Sequence, residues 1–165
     1  MQRFTFLSLV LLVVAVSLSG SAADPLCPFG WSFYNEHCYK VFKKLKNWNS
    51  AENFCRHQEE GGHLASIHSL AEATYVANLV SRNVFLINVW IGLSDPRKRR
   101  TWAWSDGSRF RFQSWKRGEP NNFFWRESCV ELWSLSGYLR WNDQRCSSKR
   151  YFICKFQPQG EGSTW

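Results

Sequence analysis

The chain has 165 residues, a length that suits one ordinary domain, and it contains no internal repeat. Its 21 Lys and Arg exceed its 13 Asp and Glu, so the formal charge is +8 and attraction to anionic surfaces is expected, although charge alone identifies no partner. The absence of an N-x-S/T sequon excludes N-glycosylation. The 10 Trp and 13 Phe can fill a core or bind a ligand, and for most of them the core is the better interpretation.

The N-terminus reads MQRFTFLSLVLLVVAVSLSGSAAD. A basic start, an apolar run over residues 4–18 and small residues up to Ala23 are typical of a secretory signal peptide. A membrane anchor is the alternative, but the run is shorter than the roughly 20 residues of a spanning helix. We therefore predict a signal peptide at residues 1–23 and a secreted, extracellular chain at residues 24–165. Loss of Arg3 lowers the formal charge to +7, and no membrane insertion is expected.

Six cysteines remain after cleavage, and an even number in a secreted chain indicates a disulfide framework. They are Cys27, Cys38, Cys55, Cys129, Cys146 and Cys154. Zinc is the alternative, but there is no C-x-x-C pair and no His at ligand spacing from a cysteine pair. Six cysteines allow 15 pairings, so spacing alone leaves the connectivity open.

The first part of the mature chain predicts a hairpin followed by a helix. Residues 27–42 carry recurring aromatics around two cysteines, which is typical of a short hairpin. Asn49 with Glu52 matches a helix capping box, and Gly61 and Gly62 are expected to end that helix.

A short strand over residues 63–67 and a second helix come next. Ser69 with Glu72 repeats the capping pattern, and the helix is expected to end near Val80. Three of its residues are expected to face the core: Ala73, Val76 and Val80. Short apolar runs then predict strands at residues 89–93, 102–104, 129–132, 138–141 and 151–155. Two early helices and late strands predict an α+β domain, with a flexible tail at residues 159–165.

Oxygen-bearing side chains gather in the later part of the chain: Glu119, Asn121, Glu127, Asn142 and Asp143. Calcium takes six to eight oxygen ligands, and three carboxylates with two carboxamides suit it. A disulfide between Cys129 and Cys146 would bring the segments together. Solvated loop residues are the alternative, and they are the more common case for scattered acids.

Four motifs, together with the spacing of all six cysteines, resemble a C-type lectin domain. They are WIGL at 90–93, WSDG at 104–107, EPN at 119–121 and WND at 141–143. The likeness covers residues 24–158. The start CPFGWSFYNEHCYKVF, joined directly to a signal peptide, is most similar to the secreted snake-venom lectins.

This resemblance implies a C-type lectin-like α+β fold, with two helices flanking antiparallel sheets and a long loop region. It implies three disulfides: Cys27–Cys38, Cys55–Cys154 and Cys129–Cys146. It also implies a cis peptide before Pro120, which would direct Glu119 and Asn121 at one metal ion.

The resemblance further implies a calcium site at which two vicinal sugar hydroxyls complete the coordination. Five residues would be ligands: Glu119, Asn121, Glu127, Asn142 and Asp143. Glu119 and Glu127 would accept hydrogen bonds from the sugar, while Asn121 and Asn142 would donate them. The order Glu-Pro-Asn resembles the mannose type, which also admits glucose, N-acetylglucosamine and fucose. Phe123 would pack on the sugar, although rings at residues 123–125 equally suit a partner surface or a cover for the disulfide.

One calcium ion is expected rather than the two that some members of the family hold. Asp95 matches one position of the second site. Arg99, Asn122 and Ser128 stand where acids would be expected, and Arg99 would repel a cation.

The expected partners are therefore mannose-type glycans on cell surfaces or glycoproteins, not nucleic acid. No nucleophile lies in a catalytic motif, the four His fit no ligand pattern, and an enzyme is not expected. The alternative function is that of a venom toxin that binds platelet receptors or clotting factors. The complete ligand set argues against it, and so does the absence of a cysteine between Cys55 and Cys129. The missing cysteine also argues against a disulfide-linked dimer but allows a non-covalent homodimer. The basic run at residues 97–100 could bind heparin or acidic lipid, but a solvated loop is the more common case.

Overall fold

A computed structural model describes residues 27–159. The predicted signal peptide at 1–23 and all but the first residue of the predicted tail lie outside this range. Ten regular elements follow one another along the chain: β1 (Ser32–Tyr34), β2 (His37–Lys46), α1 (Trp48–Arg56), β3 (His63–Leu64), α2 (Leu70–Asn83), β4 (Val89–Ser94), β5 (Ala103–Trp104), β6 (Cys129–Leu132), β7 (Trp141–Gln144) and β8 (Arg150–Phe156). Short 3-10 turns lie at Phe123–Trp125 and Ser134–Ser136. The elements confirm the predicted α+β class.

Within the described range the strands form one sheet. Its order is β1-β2-β8-β4-β6-β7, with β3 paired to β8 and β5 paired to β4. Every pair is antiparallel except β4 and β8, which run parallel through Val89–Tyr151 and Trp90–Phe152. The sheet is therefore mixed, where antiparallel sheets were expected, because β8 returns from the C-terminus between β2 and β4.

Helix α2 covers the core as its sequence predicts. Ser69 accepts the backbone N–H of Glu72 at 3.1 Å and caps the helix. The predicted core residues are all buried: Ala73, Val76 and Val80. They pack with Ile91 and Ile153 from the two central strands. The helix runs on to Asn83, one turn past the predicted end.

The start of α1 was predicted incorrectly. Asn47, not Asn49, is the N-cap, and its Oδ1 accepts the backbone N–H of Ser50 at 2.8 Å. Glu52 therefore takes no part in a capping box. Its carboxylate instead contacts His63 at 2.6 Å and accepts the N–H of Leu64 at 2.9 Å, since tertiary packing brings β3 beside the helix.

The end of α1 was also predicted incorrectly. The helix ends at Arg56, with His57 as C-cap, well before Gly61 and Gly62. Gly62 serves close packing instead, because a Cβ there would run into the carbonyl oxygen of Cys55. The chain can thus turn directly back over the helix end and enter β3.

Strand β6 matches the predicted run at 129–132, whereas β7 lies three residues later than the predicted 138–141. Tyr138 is buried in a left-handed backbone conformation, with φ of 66°, which a strand cannot accommodate. All three disulfides implied by the family resemblance are present: Cys27–Cys38, Cys55–Cys154 and Cys129–Cys146.

A buried polar network fastens α2 to the sheet. Lys155 Nζ of β8 donates to Glu72 Oε1 at 2.7 Å and to the carbonyl oxygen of Ser66 at 3.1 Å. The Tyr39 hydroxyl donates to the same Glu72 oxygen at 2.6 Å. Burial opposes ionisation of Glu72, but the hydrogen bonds from Lys155 and Tyr39 outweigh burial and lower its pKa. Glu72 is therefore held as a carboxylate inside the fold.

Candidate functional site

The loop at residues 116–121 presents the first two predicted ligands together. The Glu119–Pro120 peptide is cis, as the family resemblance implied. The backbone N–H of Glu119 donates to the carbonyl of Lys116 at 2.9 Å, which closes the turn. Glu119 Oε1 accepts the side-chain amide of Asn121 at 3.1 Å, so the carboxylate and the carboxamide face each other across the proline.

Asp143 in β7 joins this loop to the sheet. It is fully buried, and its two carboxylate oxygens accept the backbone N–H groups of Asn121 at 3.0 Å and Asn122 at 2.7 Å. The N–H of Asn121 also points at Glu119 Oε2, at 3.0 Å. The carboxylates of Glu119 and Asp143 thus share one donor and lie against each other.

Glu127 closes the network from the other end of the loop. Its Oε2 accepts the backbone N–H of Phe123 at 3.0 Å, and its own N–H donates to Asn122 Oδ1 at 3.1 Å. The N–H of Phe123 lies 2.9 Å from Asn121 Oδ1 as well. Four predicted ligands are therefore linked through one short loop: Glu119, Asn121, Glu127 and Asp143.

Asn142 lies next to this network but its amide is turned to the sheet. Its Nδ2 donates to Glu131 Oε1 at 3.0 Å and to the carbonyl oxygen of Asp143 at 2.8 Å. Glu131, which the sequence interpretation did not single out, is buried and also accepts from Asn88 at 2.7 Å and from Arg150 at 2.6 Å. The sequence did carry a signal for Glu131, because a charged residue within the apolar run CVEL is expected to be buried. A buried acid needs hydrogen-bonding or charged partners.

The donor chemistry of the site fits calcium. Every candidate side chain offers oxygen, in carboxylates and carboxamides, which are the groups a hard cation prefers. No group of three or more His, Cys, Asp and Glu side chains suited to a metal is found within residues 27–159. The carboxylates of Glu119, Glu127 and Asp143 accept backbone N–H groups of residues 121–123.

Electrostatics set the protonation of the two glutamates. Burial raises the pKa of Glu119 to about 7, and the adjacent carboxyl of Asp143 adds to the rise, against the Asn121 N–H and the charge of Lys116. Burial also raises the pKa of Glu127, although the N–H of Phe123 opposes it. Both carboxyl groups are therefore harder to ionise in the fold than in water, and a bound cation would favour their ionised forms.

Comparison with known proteins identifies the family. Residues 44–156 match the family described as the lectin C-type domain. The chain belongs to this family. It is 61% identical over 165 residues to the C-type lectin lectoxin-Lio1 of Erythrolamprus poecilogyrus, with 100% of both chains covered. It is 53% identical over 156 residues to the C-type lectin mannose-binding isoform of Oxyuranus scutellatus, with 94% of this chain and 98% of that one covered.

The fold of this C-type lectin domain protein has close structural counterparts. Human lithostathine is similar with a TM-score of 0.76 and 37% identity, over 79% of this chain and 99% of that chain. The predicted family, its fold and the likeness to snake lectoxins are thus confirmed. None of the three relatives named here has an enzyme's name. Across residues 27–159, no helix is long and apolar enough to cross a membrane.

The carboxylate of Asp95, which the family resemblance matched to one position of a second calcium site, accepts hydrogen bonds within its own turn. It is buried, its Oδ1 accepts the N–H of Arg99 at 3.2 Å, and its Oδ2 accepts the N–H of Arg100 at 2.6 Å. Its backbone N–H donates to the carbonyl of Ser128 at 2.8 Å. Asp95 therefore organises the basic loop.

The aromatic residues beside the site are exposed. Phe123, Phe124 and Trp125 expose 58%, 67% and 84% of their surface, and none contributes to the core. Phe123 and Phe124 contact edge to face, with ring centroids 4.3 Å apart. These rings are therefore not packed as a cover over the disulfide. Their exposure favours contact with a ligand or with a partner protein.

Proposed function

We propose that the protein is a secreted, calcium-dependent lectin of the mannose type. The observation that carries the proposal is the single hydrogen-bonded network of Glu119, Asn121, Glu127 and Asp143 around a cis Glu-Pro peptide. The relative from Oxyuranus scutellatus that is named a mannose-binding isoform supports the same class.

The proposal assigns each side chain a role at one calcium site. The ligands would be Glu119, Asn121, Glu127, Asn142 and Asp143. Bound calcium would supply the positive charge that neutralises the carboxylates and two open positions for vicinal sugar hydroxyls. Glu119 and Glu127 would accept hydrogen bonds from those hydroxyls, and the amide of Asn121 would donate to them. The amide of Asn142 would donate as well once it turns from Glu131 and the carbonyl of Asp143 toward the sugar. Asp143, buried in β7, anchors the loop through its backbone partners.

The order of acceptor and donor defines the sugar class. Glu before Pro120 and Asn after it present an acceptor and a donor as in mannose-type members of the family, so two equatorial hydroxyls fit. Phe123 is exposed next to these groups and offers a face for the apolar side of a sugar ring. Glucose, N-acetylglucosamine and fucose share the hydroxyl geometry and are expected to compete.

A single calcium ion completes the proposed site. The carboxylate of Asp95 is engaged by two backbone N–H groups, and Arg99 follows it in the same turn. A second calcium ion near Asp95 would find a carboxylate that already accepts two hydrogen bonds, and the surrounding cationic side chains would repel it.

The proposal extends to location and partners. Residues 1–23 would be removed on secretion, leaving a lectin domain at residues 24–158 and a short tail. The partners would be mannose-type glycans of cell surfaces or glycoproteins. One sugar site binds weakly, so a non-covalent homodimer would strengthen attachment through multivalency.

Immobilised sugars test this function directly. The mature protein is applied to mannose and to galactose columns, each with calcium and then with chelator. Retention on mannose that chelator releases is the expected result. Retention on galactose alone would mean that the aromatic loop overrides the Glu-Pro-Asn order. Calcium binding without retention on either sugar would favour the protein-binding toxin, for which the exposed Phe124 and Trp125 would be the contact surface.

A further inference from the structure

A basic cavity lies beside the candidate sugar site. Its volume is about 400 Å³, and six residues line it: Lys98, Arg126, Ser128, Arg145, Cys146 and Ser147. Three of these carry positive charge, two carry hydroxyls, and no Asp or Glu is among them. Cavities of roughly 300–1,000 Å³ are the size that proteins use for small ligands. The lining chemistry is therefore that of an anion site.

The three cations of this cavity are unpaired among residues 27–159. The ion pairs of this part of the chain use other cations: His63, Lys116, Arg150 and Lys155. Lys98, Arg126 and Arg145 are exposed, and their side-chain nitrogens make no hydrogen bond to described residues. The charge of Arg145 acts on Glu127, which lies outside the lining of the cavity. An anion in the cavity would be attracted by all three cations, which come from three separate segments.

The backbone holds Lys98 at the cavity in an uncommon conformation. Its φ is 54°, in the left-handed region that residues other than Gly seldom adopt. Its N–H donates to the carbonyl of Asp95 at 3.1 Å, and the next two N–H groups donate to the Asp95 carboxylate. The buried Asp95 thus fixes the turn that presents Lys98.

Chain connections place the cavity next to the sugar site. Arg126 directly precedes Glu127, and Arg145 follows Asp143 by two residues. Arg100 Nη2 donates to the carbonyl of Pro120 at 2.5 Å, so the basic loop is tied to the cis-proline loop. A substituent on a sugar bound at the first site therefore has cationic groups within the same surface region.

We infer that this cavity binds the sulfate ester of an anionic glycan. A sulfate ester is permanently charged and accepts several hydrogen bonds, which guanidinium, ammonium and hydroxyl groups supply. A lipid phosphate shares this chemistry, but the hydrogen bond between the basic loop and the cis-proline loop places the cations beside the candidate sugar site, which favours a saccharide. Binding of one glycan across both sites rests on the proposed lectin function, whereas binding of the sulfate itself needs no calcium.

The test compares dextran sulfate with unsulfated dextran, both immobilised, in the presence of chelator so that calcium-dependent binding is absent. The mature protein is expected to bind dextran sulfate only. A triple substitution Lys98→Gln, Arg126→Gln and Arg145→Gln is expected to lower the affinity about tenfold or more, and added salt to weaken binding. A control with Lys43→Gln, Arg56→Gln and Arg82→Gln removes the same charge from other exposed positions and is expected to change affinity less than about threefold.

The outcomes separate this inference from the lectin proposal. Equal losses in the two triple variants would mean net charge attraction and would overturn the cavity site. Stronger binding to vesicles of phosphatidylserine and phosphatidylcholine than to dextran sulfate, lost in the cavity variant, would assign the site to lipid and overturn the glycan. Binding of dextran sulfate that is lost only in the cavity variant, by a protein that fails to bind mannose with calcium, would refute the mannose-type lectin proposal and support the cavity. Both triple variants are expected to keep calcium-dependent mannose retention.

Discussion

The backbone N–H of Asn121 donates to Oδ1 of Asp143 at 3.0 Å, joining residues 22 positions apart in sequence. This contact fastens the irregular cis-proline loop to the regular strand β7. Strand β7 is the last strand of the sheet order, and its register against β6 fixes the position of Asp143 opposite Val130. The proposed sugar site thus takes its geometry from the sheet, and the first prediction targets this contact.

Asp143→Asn is expected to weaken calcium-dependent mannose binding by more than about 100-fold. Removing a residue that hydrogen-bonds to a metal ligand lowers metal affinity about 10–100-fold, and removing a ligand itself should lower it more. The Asn keeps one side-chain oxygen as acceptor, so the disulfide-linked fold should persist. Calcium titration calorimetry and mannose retention measure the effect. Asp106→Asn, the same change at an acid that bonds only Ser66 and Ser108 among the described side chains, should leave both unchanged. Undiminished binding by the Asp143 variant would refute the assigned role.

Exchanging the acceptor and donor around Pro120 is expected to alter sugar preference. The double variant Glu119→Gln and Asn121→Asp reverses which side of the proline carries the charge. Mannose affinity should fall about tenfold or more, and relative affinity for galactose should rise, since one misplaced hydrogen bond to a charged group costs about 1.5–3 kcal/mol. Competition by free sugars measures the ratio. Glu59→Gln with Asn53→Asp, the same exchange on and after α1, is the control. A double variant that retains full mannose preference would show that the loop does not select the sugar.

Calcium affinity is expected to rise with pH up to about neutrality. Burial and the nearby Asp143 raise the pKa of Glu119 from 4.5 to about 7, so in calcium-free protein this carboxyl holds its proton to higher pH when folded than when unfolded. The stability it contributes is present at low pH and is lost as pH rises from 4.5 to about 7. Calcium needs the ionised form and should therefore bind more tightly at about pH 8 than at about pH 5.

Thermal unfolding in chelator isolates the contribution of Glu119 to this pH dependence. The unfolding temperature of the wild type should fall more between about pH 5 and about pH 7 than that of Glu119→Gln, which cannot ionise. Identical slopes for the two proteins would rule out Glu119 as the titrating group. Calcium titrations of the wild type at the same pH values check the predicted gain in affinity.

Lys155→Met is expected to destabilise the fold by about 3–5 kcal/mol, because it leaves the carboxylate of Glu72 buried without its cation. The double variant Lys155→Met with Glu72→Gln also removes the buried negative charge and should recover part of the lost free energy of unfolding. Urea unfolding under oxidising conditions gives the free energies. Lys149→Met, an exposed cation in the preceding turn, should change stability by less than about 0.5 kcal/mol. A cost equal to that control would mean that the network is not required for stability.

Much of the fold was predictable where the signals are local. Ser69 caps α2 because its side chain reaches a donor three residues away, and the run at Cys129–Leu132 forms β6 where the sequence places it. The start of α1 was missed because Asn47 and Asn49 both satisfy the local preference for a cap. Glu52 then bonds β3, a tertiary contact that the local pattern does not contain.

The sequence by itself determined the family, the disulfide-rich class and the set of candidate oxygen ligands, because motifs and spacing are written along the chain. Only the tertiary structure decided how those groups meet. It turned the amide of Asn142 toward the buried Glu131, placed the carboxylates of Glu119 and Asp143 on one backbone donor, and brought Lys98 beside Arg145. The physical reason is that hydrogen bonds and charges act through space, so their partners depend on strand register and loop closure.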